Sequence, residues 1–161
     1  MSGGRRTVRF VGVTTGASSI VPIFARWVEA LDLDVDLVGV DLPLDASAER
    51  YRELLVRMRR DPAILGAVVT SHKLGLVGAG RDLFARLDPL AARCGEVNAI
   101  AVRAGELIGY ALDPVAASRT LAEMLAPDHW RRGADVLCLG AGGAGTAIAL
   151  SLCCDLDAAD G

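Results

Sequence analysis

The chain has no glutamine, one asparagine, one lysine and few aromatic residues, and each shortage narrows what it can be. Aromatics make up 4% of the 161 residues and the formal charge is −3. There is thus neither a stacking platform for bases nor an excess of positive charge for a phosphate backbone. The arginine runs Arg5-Arg6, Arg57 to Arg60 and Arg131-Arg132 read as solvated faces, and nucleic acid is excluded as a partner. Four cysteines, Cys94, Cys138, Cys153 and Cys154, lack CxxC spacing and a paired histidine. Neither a zinc site nor a disulfide framework is signalled, no metal is expected, and a reducing cytoplasm fits. The N-terminus has arginines but no long apolar stretch or cleavage site, so no signal peptide is expected. Val136 to Cys154 is a run of nineteen uncharged residues, long enough for a marginal membrane span. Its glycines, alanines and serines make it weakly hydrophobic, and it lacks an aromatic belt, so no membrane partner is expected.

What is present is 52% hydrophobic residues, patterned as an α/β protein. Val8 to Val13 is the first strand, followed by the polar TTGASS segment. Ile20, Ile23, Phe24, Trp27, Val28 and Leu31 then make the stripe of an amphipathic helix, with Ser18 or Ser19 as its N-cap. Val35 to Val40 is a second strand. A helix from Asp45 or Ser47 with the stripe Tyr51, Leu54, Leu55 and Met58 stops at Asp61-Pro62. Leu65 to Thr70 is the third strand. This alternation predicts a largely parallel sheet with right-handed crossovers, whose ligands bind beyond the carboxyl ends of the strands. Ser18, Ser19, Thr70, Ser71, His72 and Lys73 would therefore share one crevice.

Downstream, the glycine-broken LGLVGAGRDLF suggests short helical turns, and Asp88-Pro89 starts a helix to Cys94. Val97 to Val102 and Glu106 to Tyr110 form a hairpin that brings antiparallel strands into the sheet. Asp113-Pro114 opens a helix, and Ala126 to Gly133 is a linker. Ala134 to Leu139 is a buried strand followed by Gly140, Gly142 and Gly145 as GxGxxG and the helix-forming TAIALSL, the context in which this motif binds a pyrophosphate.

Three side chains carry candidate chemistry. Sixteen arginines supply the other cationic side chains, so the single lysine, Lys73, stands out. An ammonium can lose its proton where a guanidinium cannot, which makes Lys73 a candidate for proton transfer; a solvated surface lysine is the alternative. The amide of Asn98 can donate and accept toward a hydroxylated ligand, or the residue can serve a left-handed turn. Asp113 before Pro114 is explained locally as an N-cap with proline in the first helical turn.

In order along the chain, GVTTGASS, AVVTSHK, GEVNAI, LIGYALD and LCLGAGGAG resemble the serine-bearing first loop, the Asn-Val-Thr-x-Pro-x-Lys segment, Gly-Ala-Val-Asn-Thr, Gly-x-Asn-Thr-Asp and the nucleotide loop of the shikimate and quinate dehydrogenase family. The resemblance implies a three-layer substrate-binding domain with a mostly parallel sheet, followed by the first βα unit of a Rossmann domain. It divides the chain into 1–113 as substrate domain, 114–133 as connecting helix and linker, and 134–161 as the start of a nucleotide domain. It implies Lys73 and Asp113 as the catalytic pair, Ser18, Ser19, Thr70 and Asn98 as substrate ligands, and Gly140, Gly142, Gly143, Ala144 and Gly145 as the cofactor loop. NADP or NAD would be the cofactor, and a cyclic hydroxy acid from aromatic amino acid biosynthesis the substrate. A non-catalytic binding or regulatory module is the alternative.

The departures matter as well. Without a gap from Lys73, the family's Asn and Thr fall on Ala67 and Val69, and only a one-residue deletion puts Thr70 in the threonine's place. The second loop serine falls on Ile20 or slips to Ser19, Ala111-Leu112 replace Asn-Thr, and Ala99 replaces a threonine. Each lost hydrogen bond weakens binding by about 0.5–1.5 kcal/mol, so a less hydroxylated substrate is expected. The 161 residues by themselves are expected to be inactive and to bind either cofactor weakly. The edge of the strand Ala134 to Leu139 would favour pairing with a second copy as a homodimer.

Overall fold

The computed structural model describes residues 5–140 and 142–153. Strands β1 (Arg6–Gly12), β2 (Val35–Asp41), β3 (Ile64–Val69), β4 (Phe84–Leu87), β5 (Ala99–Arg103) and β6 (Glu106–Tyr110) form one sheet in the order β2-β1-β3-β5-β6-β4. β2, β1 and β3 run parallel, as do β4 and β6, while β5 is antiparallel to both β3 and β6. The mostly parallel α/β sheet is thus the one expected. Helices α1 (Ile20–Ala30), α2 (Ala48–Arg60), α3 (Lys73–Gly80), α4 (Pro89–Cys94), α5 (Asp113–Met124) and α6 (Gly143–Cys153) complete the chain.

The core lies where the apolar pattern puts it. Tyr51, Leu55 and Met58 bury one face of α2, joined by Val11 and Val69 from the central strands and by Leu76 of α3. α2 ends at Asp61, whose extended backbone precedes Pro62, as proline demands of its predecessor. In α4 the Asp88 carboxylate accepts from the Ala91 N–H at 2.6 Å, and Gly95 at φ +67 stops the helix. The hairpin turns through Ala104 and Gly105, both at positive φ, the backbone that a tight two-residue turn needs.

Four elements differ from the sequence pattern. The glycine-broken segment after Lys73 is a continuous helix, because its glycines let it lie close on α2. A Cβ on Gly75 would come within 2.7 Å of the Tyr51 ring, and one on Gly80 would strike Leu55. β4 is an additional strand of four residues, too short for alternation to reveal, held at the sheet edge by β6. The stripe of α1 forms, yet Ile23 and Trp27 stay 40% and 51% exposed and the helix buries no residue. Its start is braced by Ser18, whose Oγ accepts from the Ile20 N–H at 3.4 Å, while Ser19 makes no capping bond.

The fourth difference is the segment expected as a buried strand at 134–139. It forms no strand, and Val136, Leu137 and Leu139 are 51%, 83% and 89% exposed. A strand exists by pairing its backbone with a neighbour, and among the described residues none lies beside it. The helix after the glycine loop does form and packs on α5. Among the described residues no helix is long and apolar enough to cross a membrane.

Candidate active site

Lys73 stands at the first position of α3, just beyond the carboxyl end of β3. Its ammonium donates to Oδ2 of Asp113, and the side chains are 17% and 33% exposed, shielded but reachable from solvent. The other carboxylate oxygen, Oδ1, accepts from the Asn98 amide nitrogen. Asn98 is itself fixed on three sides. Its side-chain oxygen accepts from the Leu112 N–H at 2.9 Å. Its backbone carbonyl accepts from Val69 at 2.8 Å, and its N–H donates to Tyr110 at 2.9 Å. One hydrogen-bonded network therefore ties the ends of β3, β5 and β6 to the start of α5.

These contacts bear on the readings the sequence left open. Lys73 is paired and partly buried rather than a free surface lysine. Asn98 is not among the residues at positive φ, so no left-handed turn accounts for it. Asp113 is the first residue of α5 rather than its N-cap: that position is Leu112, whose side chain makes no capping bond. The carboxylate is spent on Lys73 and Asn98 instead. Its place in the first turn still puts negative charge at the positive end of the helix dipole.

His72 corrects the grouping of the segment after β3. Its ring turns inward and is 2% exposed. Nε2 lies 3.1 Å from the Leu42 carbonyl, which can only accept, so Nε2 donates there. In the neutral ring Nδ1 then accepts from the Tyr51 hydroxyl at 2.9 Å. This interior bond pins the turn from which Lys73 projects, while burial raises the Tyr51 phenol above its ordinary pKa. Tyr51→Phe leaves the buried Nδ1 without a donor and is expected to cost about 1–3 kcal/mol of stability, measurable by chemical denaturation.

Thr70 and Ser71, by contrast, are exposed at the end of β3. With Lys73, Leu74, Gly143 and Ala144 they line a cavity of about 260 Å³. A Cβ on Gly12 would sit 2.8 Å from the Thr70 methyl, which places the end of β1 against Thr70. The first loop is held by the Thr15 N–H donating to Asp41 at 2.8 Å, a bond that keeps the Asp41 carboxyl below the usual carboxylate range. No hydrogen bond joins Ser18 or Ser19 to the Lys73 network among the described residues. Ala67 and Val69, where the ungapped alignment places polar residues, are each 3% exposed inside β3. Of the alternative positions for the threonine, Val69 and Thr70, only Thr70 lines the cavity.

Of the strand–loop–helix context expected for the glycine motif, the helix forms and the strand does not. Gly140 has φ +111, a backbone only glycine adopts freely, and a Cβ on Gly142 would meet open space. A Cβ on Gly145 would come within 2.7 Å of the Gly140 carbonyl, so the third glycine lets helix and loop close on one another. The first helical bond of α6 runs from the Thr146 N–H to Gly142 at 2.9 Å. Gly143, Ala144 and Gly145 thus present first-turn amides without a partner in the helix, the arrangement that suits a pyrophosphate. Ala141, inside the motif, and Cys154 lie outside the described residues. Cys94, Cys138 and Cys153 are free, and no cluster that could hold a metal occurs among the described residues.

Sequence reasoning did not single out Glu96. It is fully buried, with neither carboxyl oxygen hydrogen-bonded among the described residues, and burial pushes its pKa up against the opposing pull of Lys73. The signal available was a lone acid between Gly95 and the apolar Val97.

Fold and site together define an α/β protein in which a lysine beyond the end of a central parallel strand, paired with a carboxylate, borders the same cavity as a glycine-rich loop. The chain is similar to shikimate dehydrogenases in both sequence and fold. It is 38% identical over 86 residues to the NADP(+) shikimate dehydrogenase of Bacillus cereus strain AH820, covering 53% of this chain and 28% of that protein. With the corresponding enzyme of Haloarcula marismortui it shares 31% identity over 152 residues, 88% of this chain and 49% of the other. Shikimate 5-dehydrogenase of Thermus thermophilus, solved with NADP(H) and shikimate, superposes with a TM-score of 0.67 at 27% identity, covering 91% of this chain and 51% of that structure. The chain thus spans about half the length of the last two. No protein-family model matches it.

Proposed function

We propose that the full-length protein is an NAD(P)-dependent oxidoreductase of the shikimate dehydrogenase type, which reversibly reduces the ring ketone of a dehydroshikimate-like cyclic acid. The observation that carries this is the position of Lys73: paired with Asp113, and bordering one cavity with Gly143 and Ala144 of the glycine loop. In this assignment residues 1–113 form the substrate domain, 114–133 the connection, and 134–161 the opening of the nucleotide domain. A bound nicotinamide would supply the hydride, with Gly140, Gly142, Gly143, Ala144 and Gly145 holding the pyrophosphate by backbone amides.

The chain's own residues then handle the proton and the charge. The Lys73 ammonium points its N–H bonds at the developing alkoxide and yields the proton to it, while Asp113 holds the ammonium in place. Asn98 holds Asp113 in turn, which leaves its amide one further N–H for a substrate hydroxyl. Thr70 borders the same cavity, and Ser18 and Ser19 lie in the loop after β1. The presence of Leu112, 52% exposed where the family pattern has a polar residue, supports a substrate with fewer hydroxyl groups than shikimate.

The test is a steady-state assay of the full-length protein with shikimate, quinate and less hydroxylated analogues, each with NADP+ and NAD+. Turnover of at least one cyclic acid is expected, with kcat/KM higher for an analogue lacking one hydroxyl than for shikimate. No turnover together with measurable binding of the acids would make the protein a non-catalytic binding module.

A further inference from the structure

The Glu96 carboxyl lies where three parts of the site meet. A Cβ built on Gly143, the first residue of α6, would run into Glu96 Oε2 and would lie 3.4 Å from its Cδ and 3.5 Å from Lys73 Cδ. The segment carrying it is tied to the lysine by the Val97 N–H, which donates to the Lys73 carbonyl at 3.3 Å. Yet neither oxygen of Glu96 has a hydrogen-bond partner among the described residues, although the residue is 0% exposed. A buried carboxyl in that condition is costly as an anion unless a cation or a dipole compensates it. Here the compensation is partial and specific. Lys73 from α3 and the amide end of α6 favour the ionised form. Asp113 from α5 disfavours it, and Cys94 at the end of α4 contributes no charge while it holds its proton, which burial and Glu96 both strengthen.

We propose that Glu96 is a positioning residue for Lys73: a buried acid that takes and gives up a proton behind the lysine and thereby sets how firmly Lys73 holds its own. At low pH Glu96 is neutral and the ammonium has one carboxylate partner, Asp113. As pH rises, Glu96 releases its proton to solvent and places a second negative charge beside the lysine stem, favouring the ammonium over the amine. The residue departs from the alanine that the sequence resemblance leads one to expect here, so it is a feature of this chain rather than of the shared pattern. The inference rests on the assigned role of Lys73, but its readout does not require turnover.

The readout is peptide-resolved acylation of Lys73 by an amine-reactive ester, followed against pH in the full-length protein and in Glu96→Gln and Glu96→Ala. Above the ionisation of Glu96, both variants are expected to label faster than the parent, by up to about 10-fold, because a buried negative charge beside the lysine stem favours the unreactive ammonium. At the acid end the parent and Glu96→Gln should converge. Unfolding temperatures give an independent arm. A group whose proton is held more tightly in the folded state contributes stability at low pH and loses it as pH rises through the folded-state value. The parent should therefore lose stability relative to Glu96→Gln as pH climbs past the ordinary glutamate range. Equal labelling rates in all three proteins, or a stability difference that does not change with pH, overturns the proposal even if the enzyme is active. Absence of turnover alongside the labelling difference would overturn the proposed reaction and leave this role of Glu96 standing.

Discussion

Lys73→Arg in the full-length protein is expected to leave folding intact and to lower turnover by about 100-fold or more, the scale of a positioned acid or base. Arginine keeps the charge and can still pair with Asp113, so the ion pair that joins α3 to the start of α5 survives the change. What is lost is the ability to give up a proton, since the guanidinium stays charged in any protein setting. The side chain is also longer and planar, and its fork would take Asp113 with two nitrogens, leaving fewer donors for the substrate oxygen. The expected signature is thus a fall in kcat with an unfolding temperature close to that of the parent. Near-normal turnover in the variant would remove Lys73 from the chemistry.

Two residues of this network were legible because each is the single one of its kind in the composition. A chain with sixteen arginines and one lysine, and with one asparagine and no glutamine, marks Lys73 and Asn98 by their scarcity alone. Asp113 was visible but ambiguous. The Asp-Pro pair at a helix start has a sufficient local explanation, and only the approach of β3 to β5 brings the lysine to the same carboxylate. The core of α2 followed from 3.6-residue periodicity, and the hairpin from Ala104-Gly105.

What escaped the sequence depended on partners distant in the chain. β4 is four residues that become a strand because β6 offers an edge, whereas 134–139 has strand composition but no strand beside it among the described residues. Glu96 was not singled out in the sequence; it is buried where Lys73 of α3 and Gly143 of α6 approach one another. His72 was grouped with its exposed neighbours by position, yet the bonds to Tyr51 and Leu42 turn it into the core. In each case the local pattern was consistent with what was expected, and a tertiary contact decided otherwise.

Asp113→Asn separates a structural carboxylate from a functional one. As a helix cap the change would be almost neutral, because aspartate and asparagine cap equally well. In the observed network it cannot be neutral. Oδ2 accepts from Lys73 and Oδ1 from Asn98, so both positions require an acceptor, and an asparagine brings one acceptor and one NH2 donor. Whichever way the new amide is turned, it faces either the ammonium or the Asn98 amide with a donor. If Lys73 keeps the oxygen, Asn98 must rotate away, giving up its bond to the Leu112 N–H. If Asn98 keeps it, the lysine loses its partner and swings from the cavity it shares with Thr70 and Gly143. Both outcomes misplace the proposed proton donor, and displacement of a catalytic group by about 1 Å is enough for a loss of about 100-fold. The expected result is a kcat lowered by at least that factor. A stability loss of about 1.5–3 kcal/mol should accompany it, from the charge-assisted bonds removed. Measured together, kcat and the denaturation midpoint decide the matter: full activity with reduced stability would make Asp113 only a tie between α3 and α5, and full activity with full stability would show that the network contributes to neither.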